Sequence, residues 1–427
     1  MKLKALISTA LMTFINLPKG FGNTVDTYGL SARGMSLGST MTSEESGAYN
    51  AYYNPAALTD NQSTVIAVGL NTSDLHLRDL SGGSQTDVSG LSSSTYAASD
   101  AKNISGTTLG VNLPLTNHLN FGLAGYLPAD SFGRVTGIAP NEYNYLRYGD
   151  RQQRPAVYTA LAYRFDRLSI GLGAYYSLKA AGTLEMSLNN QSSAARFDLR
   201  MLPVIIPFGG LQYKTALAGG MLKIAAYYRG EQDTESTLST NLRVNVGESV
   251  TLPLNIESSL VPFYDPETIK IGSSYQINRL ALHVELEQQN WSKYRSPLIQ
   301  LSGASIVSLT DRLTVDETVL QDTQNYRLAA SYQTSMIGGM EARAGLEVHQ
   351  SASDDTSRGI VDLDRQVIGL GAGWNWTSKL QNQERLLSLD LAYQLTLLSD
   401  KSISTDNGPI EAGGSVDTFI AGFRYAI

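Results

Sequence analysis

From residue 63 onward, apolar and polar side chains alternate in stretches of about ten residues, the period-2 signature of strands with one apolar and one wet face. The C-terminal stretch shows it most clearly. Phe419, Ala421, Phe423, Tyr425 and Ile427 fall on one face, and Thr418, Gly422, Arg424 and Ala426 on the other, with Ile420 the single interruption. Leu168, Ile170, Leu172, Ala174 and Tyr176 oppose Ser169, Gly171, Gly173 and Ser177 in the same way. So do Leu387, Leu389, Leu391, Tyr393 and Leu395 against Ser388, Asp390, Ala392, Gln394 and Thr396. Tiling the chain on this rule predicts fourteen strands, near 63–75, 106–115, 119–128, 155–165, 168–187, 194–214, 221–231, 266–276, 280–291, 325–333, 340–349, 365–376, 385–398 and 417–427. Tight connections at Thr116 to His118, Asp166-Arg167, Thr215 to Gly220, Gln276 to Arg279 and Thr334 to Gly339 alternate with mostly long ones, notably 76–105, 129–154, 232–265 and 292–324. An even strand count, short turns at one end and long loops at the other predict an all-β fold: a 14-stranded antiparallel transmembrane β-barrel with both termini at the periplasmic end.

One regularity that played no part in the tiling agrees with it. Strands that should end at the periplasmic rim close on an outward aromatic (Tyr163, Tyr213, Tyr275, Tyr332, Trp376 and Tyr425), as an interfacial girdle requires. Lys, Arg, Asp and Glu nearly always take the opposite face. A lipid-facing Lys or Arg at the bilayer midplane costs about 2–4 kcal/mol, whereas the outer face of a soluble β-sandwich would accept it.

Ahead of the strands, Lys2 and Lys4, the apolar stretch Ala5 to Leu17, and Gly20 and Gly22 follow the order of a secretory signal, with cleavage expected near Gly22-Asn23. Next comes Tyr28 to Leu58, a segment rich in Gly, Ala and Ser that resembles none of the strands. The chain of 427 residues has no cysteine, which removes disulfide scaffolds and thiolate metal sites. Its net charge of -7 argues against a nucleic-acid partner.

Candidate chemistry is sparse. The inward faces offer His283, Glu285, Glu287 and Gln289 on the ninth strand and Glu341, Arg343, Glu347 and His349 on the eleventh. Such groups suit a metal or acid–base site, but charged ladders are also what satisfies a wet lumen. No nucleophile elbow, His-Glu-x-x-His, phosphate loop or dinucleotide fingerprint is present, and neither an enzyme nor a cofactor is expected.

Several blocks resemble one family, the FadL/TodX outer-membrane transporters of long-chain fatty acids and aromatic hydrocarbons. Gly29-Leu30-Ser31-Ala32-Arg33-Gly34-Met35, Ser43-Glu44-Glu45-Ser46 and Tyr53-Asn54-Pro55-Ala56-Ala57-Leu58 are similar to its N-terminal hatch with the Asn-Pro-Ala motif. Ala162 to Gly171, Asp265-Pro266-Glu267-Thr268, and Glu285 to Tyr294 resemble its hairpins. The resemblance implies a signal peptide over 1–22, a hatch plugging the lumen over 23–61 and a barrel over 62–427. The chain departs from the family in a short loop near Asn189 to Ala195 and in ending on Ile427 rather than Phe.

The implied activity is passive uptake of hydrophobic compounds. The hatch would gate through Asn54, Pro55 and Ala56, with Gly29 and Gly34 in the same segment. Outer loops would capture the ligand, and 129–154 sets Phe132, Tyr145 and Arg147 in a mixed apolar and basic surface suited to a carboxylate-headed amphiphile. A lipopolysaccharide-contacting or solvated loop is the alternative. Pro128 and Gly133 are candidates for a lateral opening, because proline interrupts a ladder; otherwise Pro128 simply ends its strand. Expected partners are a fatty acid or hydrocarbon, outer-membrane lipids with lipopolysaccharide, and the barrel assembly machinery. A polar-solute porin or surface-interaction barrel is the rival reading.

Overall fold

The computed structural model describes residues 23–44, 47–80, 85–86, 92–93, 103–129, 143–148, 153–188, 193–234, 236–246, 250–260, 264–294, 319–334, 339–354, 359–380, 383–405 and 408–427. The expected leader, Phe132 and Gly133 lie outside these residues. Fourteen antiparallel strands form the wall. They are β1 (Val65–Leu77), β2 (Ile104–Pro114), β3 (Leu119–Pro128), β4 (Ala156–Phe165), β5 (Leu168–Leu188), β6 (Ser193–Leu217), β7 (Gly220–Arg229), β8 (Glu267–Ile277), β9 (Leu280–Asn290), β10 (Thr323–Gln333), β11 (Glu341–His349), β12 (Arg365–Leu380), β13 (Gln383–Thr405) and β14 (Gly408–Ala426). Each pairs with its sequence neighbours, and β1 closes the ring on β14, Val65 opposite Ala426 through Leu77 opposite Gly414. Closure leaves no open edge.

The wall follows from the alternation. In β1, buried and exposed residues alternate along nearly the whole strand, with Ile66, Val68 and Leu70 turned outward. These side chains are exposed only because their solvent is lipid. Leu217 and Gly220 pair across Ala218-Gly219, whose φ angles of 45° and 80° match the hand of a two-residue hairpin.

One expectation is corrected. The long loop over 232–265 contains a hairpin, Ser236–Val246 with Val250–Leu260, which docks parallel onto Ala181 to Leu188 of β5. Both arms alternate in sequence. Period alone, however, does not say whether a strand crosses the bilayer or stands above it.

Residues 23–44 and 47–60 adopt a different structure. Helices α1 (Thr24–Tyr28), α2 (Ala32–Ser36) and α3 (Asn50–Tyr53), with 3-10 turns at Gly47–Tyr49 and Pro55–Asp60, pack against inward faces of the wall. A hydrophobic core joins Val25, Leu37, Met41, Tyr52 and Leu58 of this segment to Tyr158, Tyr175, Phe208 and Tyr227 of the wall.

Candidate functional site inside the barrel

Glycines of the wall make the seats for this segment. A Cβ on Gly345 would lie 2.1 Å from the Leu37 carbonyl carbon, one on Gly369 2.2 Å from the Met35 carbonyl oxygen, and one on Gly171 2.4 Å from the Pro55 carbonyl carbon. Any other residue at these points would collide with backbone. The inward glycines of the strands therefore record where the segment comes closest.

The structure brings the five hatch residues of the sequence analysis together. Gly29 turns the chain with φ of 77°, a left-handed conformation that suits glycine. Gly34 lies beneath the Tyr53 ring, whose hydroxyl accepts hydrogen bonds from the Leu30 and Ser31 amides at 3.0 and 3.2 Å. Asn54 accepts from the Ala56 amide at 3.0 Å and donates to the Thr42 carbonyl at 2.7 Å and to Leu211 of the wall. Pro55 opens the following turn, where its missing N–H costs nothing. Ala56 is fully buried.

Ion pairs tie the segment to the wall. Arg229 grips Asp26 through two hydrogen bonds of 3.0 and 2.8 Å, and the Tyr52 hydroxyl donates to the same carboxylate. Arg33 bridges Glu44 at 2.8 Å and Glu341 at 2.6 Å, and Glu44 also faces His283 at 3.0 Å. Asp60 is held by Lys214 and Lys223. Burial opposes ionisation of Asp26 and Glu44, but the facing guanidiniums outweigh it and hold both carboxyls below their usual range.

Because these pKa values fall on folding, the two ties are at full strength above the ordinary carboxyl values of 3.8 and 4.5 and weaken as pH drops through the depressed ones. Acidification below about pH 4 should therefore loosen residues 23–60 while the neutral range leaves them seated. Limited proteolysis of the purified protein across pH 3 to 8, with an acid-active protease at the low end, checks this. Equal cleavage of the segment at about pH 3 and pH 7 would refute it.

At the long-loop end, Tyr143 to Tyr148 fold inward. The Tyr145 hydroxyl donates to the Arg78 carbonyl at 2.9 Å, and Tyr148 stands edge-on to Tyr28 of α1 with ring centres 6.3 Å apart. Both belong to an apolar cluster with Leu75, Leu363, Leu398 and Val416. Arg147 is buried, paired with Asp362 at 3.3 Å and stacked 4.7 Å over Trp291. Pro128 is the last residue of β3. It faces Gly106 on the β2 side, whereas the ladder to β4 stops at Tyr126 opposite Ala156.

Beneath the segment, at the short-turn end, lies a chamber of about 280 Å³. Its lining includes Arg33, Glu44, Lys223, His283, Glu341 and Arg424. Above it, Arg327 binds Glu285, Glu287 and Glu347, so the ladder anticipated on β9 and β11 is joined into one network. Among the described residues, no group of acidic and histidine side chains is arranged to hold a metal ion.

Comparison with known proteins now adds to the geometry. Residues 256–422 match the family model described as outer membrane protein transport protein (OMPP1/FadL/TodX). Alkane uptake protein A of Marinobacter nauticus is 24% identical, the alignment covering 97% of this chain and 94% of that one. The crystal structure of a Pseudomonas aeruginosa FadL homologue superposes with a TM-score of 0.60 at 14% identity, over 93% of this chain and 97% of that one. The P. putida toluene transporter TodX gives 0.52 at 14% identity, over 93% and 98%. Over residues 256–422 in sequence, and over nearly its whole length in fold, the chain is similar to the FadL/TodX outer-membrane proteins. Its place is therefore the bacterial outer membrane, which it crosses with strands.

Sequence reasoning did not find the partners of the family's N-terminal segment in this chain. Asp26 and Arg229, or Arg33 and Glu341, are hundreds of residues apart and share no local pattern. The inward glycines Gly171, Gly210, Gly345 and Gly369 were the available signal, since an inward strand glycine marks close approach by something in the lumen.

Proposed function

We propose that the protein is a passive uptake channel for hydrophobic compounds, long-chain fatty acids or related hydrocarbons, with capture at the outer loops, a plug formed by residues 23–61 and release sideways into the membrane. It is a transporter rather than an enzyme. The observation that carries this reading is the burial of most of residues 23–44 and 47–60 against the wall, which a polar-solute porin has no use for. Relatives described as an alkane uptake protein and a toluene transporter support the ligand class.

The exit follows from energetics. Enclosing a sixteen-carbon chain is worth on the order of 12 kcal/mol at about 0.8 kcal/mol per CH₂. Release into periplasmic water forfeits that gain; release into hydrocarbon does not. The unpaired β4 side of Leu127 and Pro128 supports an opening there, with Phe132 and Gly133 on the chain that follows. Tyr145 and Arg147 are proposed to act at the entrance, beneath the capturing loops.

Uptake of labelled palmitate, hexadecane and toluene by cells dependent on this protein tests the reading. Pro128→Ala, by allowing the β3 ladder to extend, should slow uptake about three- to tenfold while the barrel still folds. Uptake unchanged by Pro128→Ala would remove the lateral exit. No uptake of any of the three ligands would remove the function.

A further inference from the structure

At the long-loop end, the 236–260 hairpin and the upper parts of β5 and β6 form a sheet that stands outside the closed ring. Its strand order is Val250–Leu260, Ser236–Val246, β5, β6, and among the described residues the hairpin pairs only with β5 and with itself. Register fixes which positions share a face. Phe197 lies opposite Leu184, Leu184 is in register with Thr240, and Thr240 with Ile256. Because side chains alternate along a strand, this face holds the even positions of β5 and of both hairpin arms and the odd positions of β6. Over 181–188, 193–200, 237–244 and 252–259 those positions include no Asp, Glu, Lys or Arg. The opposite face takes Glu185, Arg196, Asp198, Arg200, Arg243 and Glu257. Of these, Asp198 and Arg200 are exposed and pair at 3.6 Å.

The uncharged face continues the lipid-facing side of the wall. Lower on the same rows, Leu172, Tyr176 and Leu178 of β5 and Ile205 of β6 are exposed. A strand tilted by about 40° crosses an apolar band of about 25 Å in about ten residues. A band that starts at Leu168, opposite the rim residue Tyr213, therefore ends near Leu178. The outer sheet stands above it, where the neighbours in the plane are headgroups and water rather than hydrocarbon. Lipid covers the lower rows only.

Area and symmetry select what covers the rest. Four strands about 4.8 Å apart, each with eight residues rising about 3.3 Å, make a face of roughly 500 Å². Monomers seldom leave a contiguous apolar patch of more than a few hundred Å² uncovered. Two such faces together bury about 1,000 Å², the area at which specific protein interfaces begin. Barrels in one membrane share one orientation, so two copies are related by a two-fold axis along the membrane normal, and each turns the same sideways face to the other. Facing sheets pack about 10 Å apart. We infer that the outer sheet is a dimerisation surface whose occupant is a second copy of this chain. The inference goes beyond the uptake reading and does not depend on it.

The chain has no cysteine, so a single introduced one can be bridged only to another copy. The test treats the full-length protein in native outer membranes with a short bis-maleimide and measures the cross-linked dimer on gels, heat-modifiable mobility certifying each barrel as folded. Leu242→Cys and Leu254→Cys, on the uncharged face, should give at least about tenfold more dimer than Asn241→Cys and Asn255→Cys on the other. Adding Leu242→Glu to Leu254→Cys should cut its dimer about tenfold, by setting an unpaired charge in the interface, whereas adding Asn241→Glu should leave it within about twofold. Should Leu242→Glu fail to fold, the comparison of the two faces carries the test alone. Equal cross-linking from both faces, the mark of random collision, overturns the inference. So does the absence of dimer from Leu242→Cys and Leu254→Cys, the result expected if lipid or the protein's own loops cover the face.

Discussion

Deleting residues 23–60 should convert the closed barrel into a conducting pore. Lys214, Lys223, Arg229 and Glu341 would then line open water instead of Asp60, Asp26 and Arg33. Single-channel recordings in planar bilayers should show steady openings where the intact protein is almost silent, a difference of at least about tenfold in mean conductance for a 14-stranded lumen cleared of its contents. Cells producing the deletion should also become sensitive to large polar antibiotics. Conductance equal to that of the intact protein would show that the segment does not obstruct the lumen, and the plug reading would fall.

Gly171→Val is the second large effect, and it tests the same idea without removing any chain. Its side chain would be driven into the Pro55–Ala56 backbone, where a Cβ already lies 2.4 Å from the nearest atom. Overpacking of this kind costs about 1–3 kcal/mol, enough to shift a seated–unseated equilibrium about five- to a hundredfold. The strand itself gains from the exchange, because valine favours β-structure. Gly209→Val, one residue from the inward Gly210 and on the other face of β6, would meet only Leu172 and the Gly171 carbonyl, and the pore should stay closed. Equal conductance of Gly171→Val and Gly209→Val would show that Asn54-Pro55-Ala56 is not held by its seat.

The two variants also show which parts of the molecule can be read without coordinates. All fourteen wall strands were legible, because each has its own local evidence: an apolar face, a polar face and a turn signal such as Asp166 or Ala218-Gly219. The 236–260 hairpin alternates just as well but lies in a stretch whose length between wall strands predicts a loop, since alternation reports two faces and not what bathes them. Asn54 and Pro55 stand out by resemblance to the family's Asn-Pro-Ala motif. Gly171, which seats them, does not, because its meaning depends on a residue more than a hundred positions away.

The charged chamber under the N-terminal segment has a consequence for direction. An alkyl chain sinking from the apolar cluster around Tyr145 and Leu398 would exchange oily contacts for Arg33, Glu44, Lys223 and Glu341, all of which prefer water. The lower half of the barrel is thus a poor solvent for the cargo even when nothing obstructs it. On the proposed function, solubility alone would disfavour passage through this end of the barrel. Its floor repels hydrocarbon as a wet surface repels oil, which favours the sideways exit proposed above.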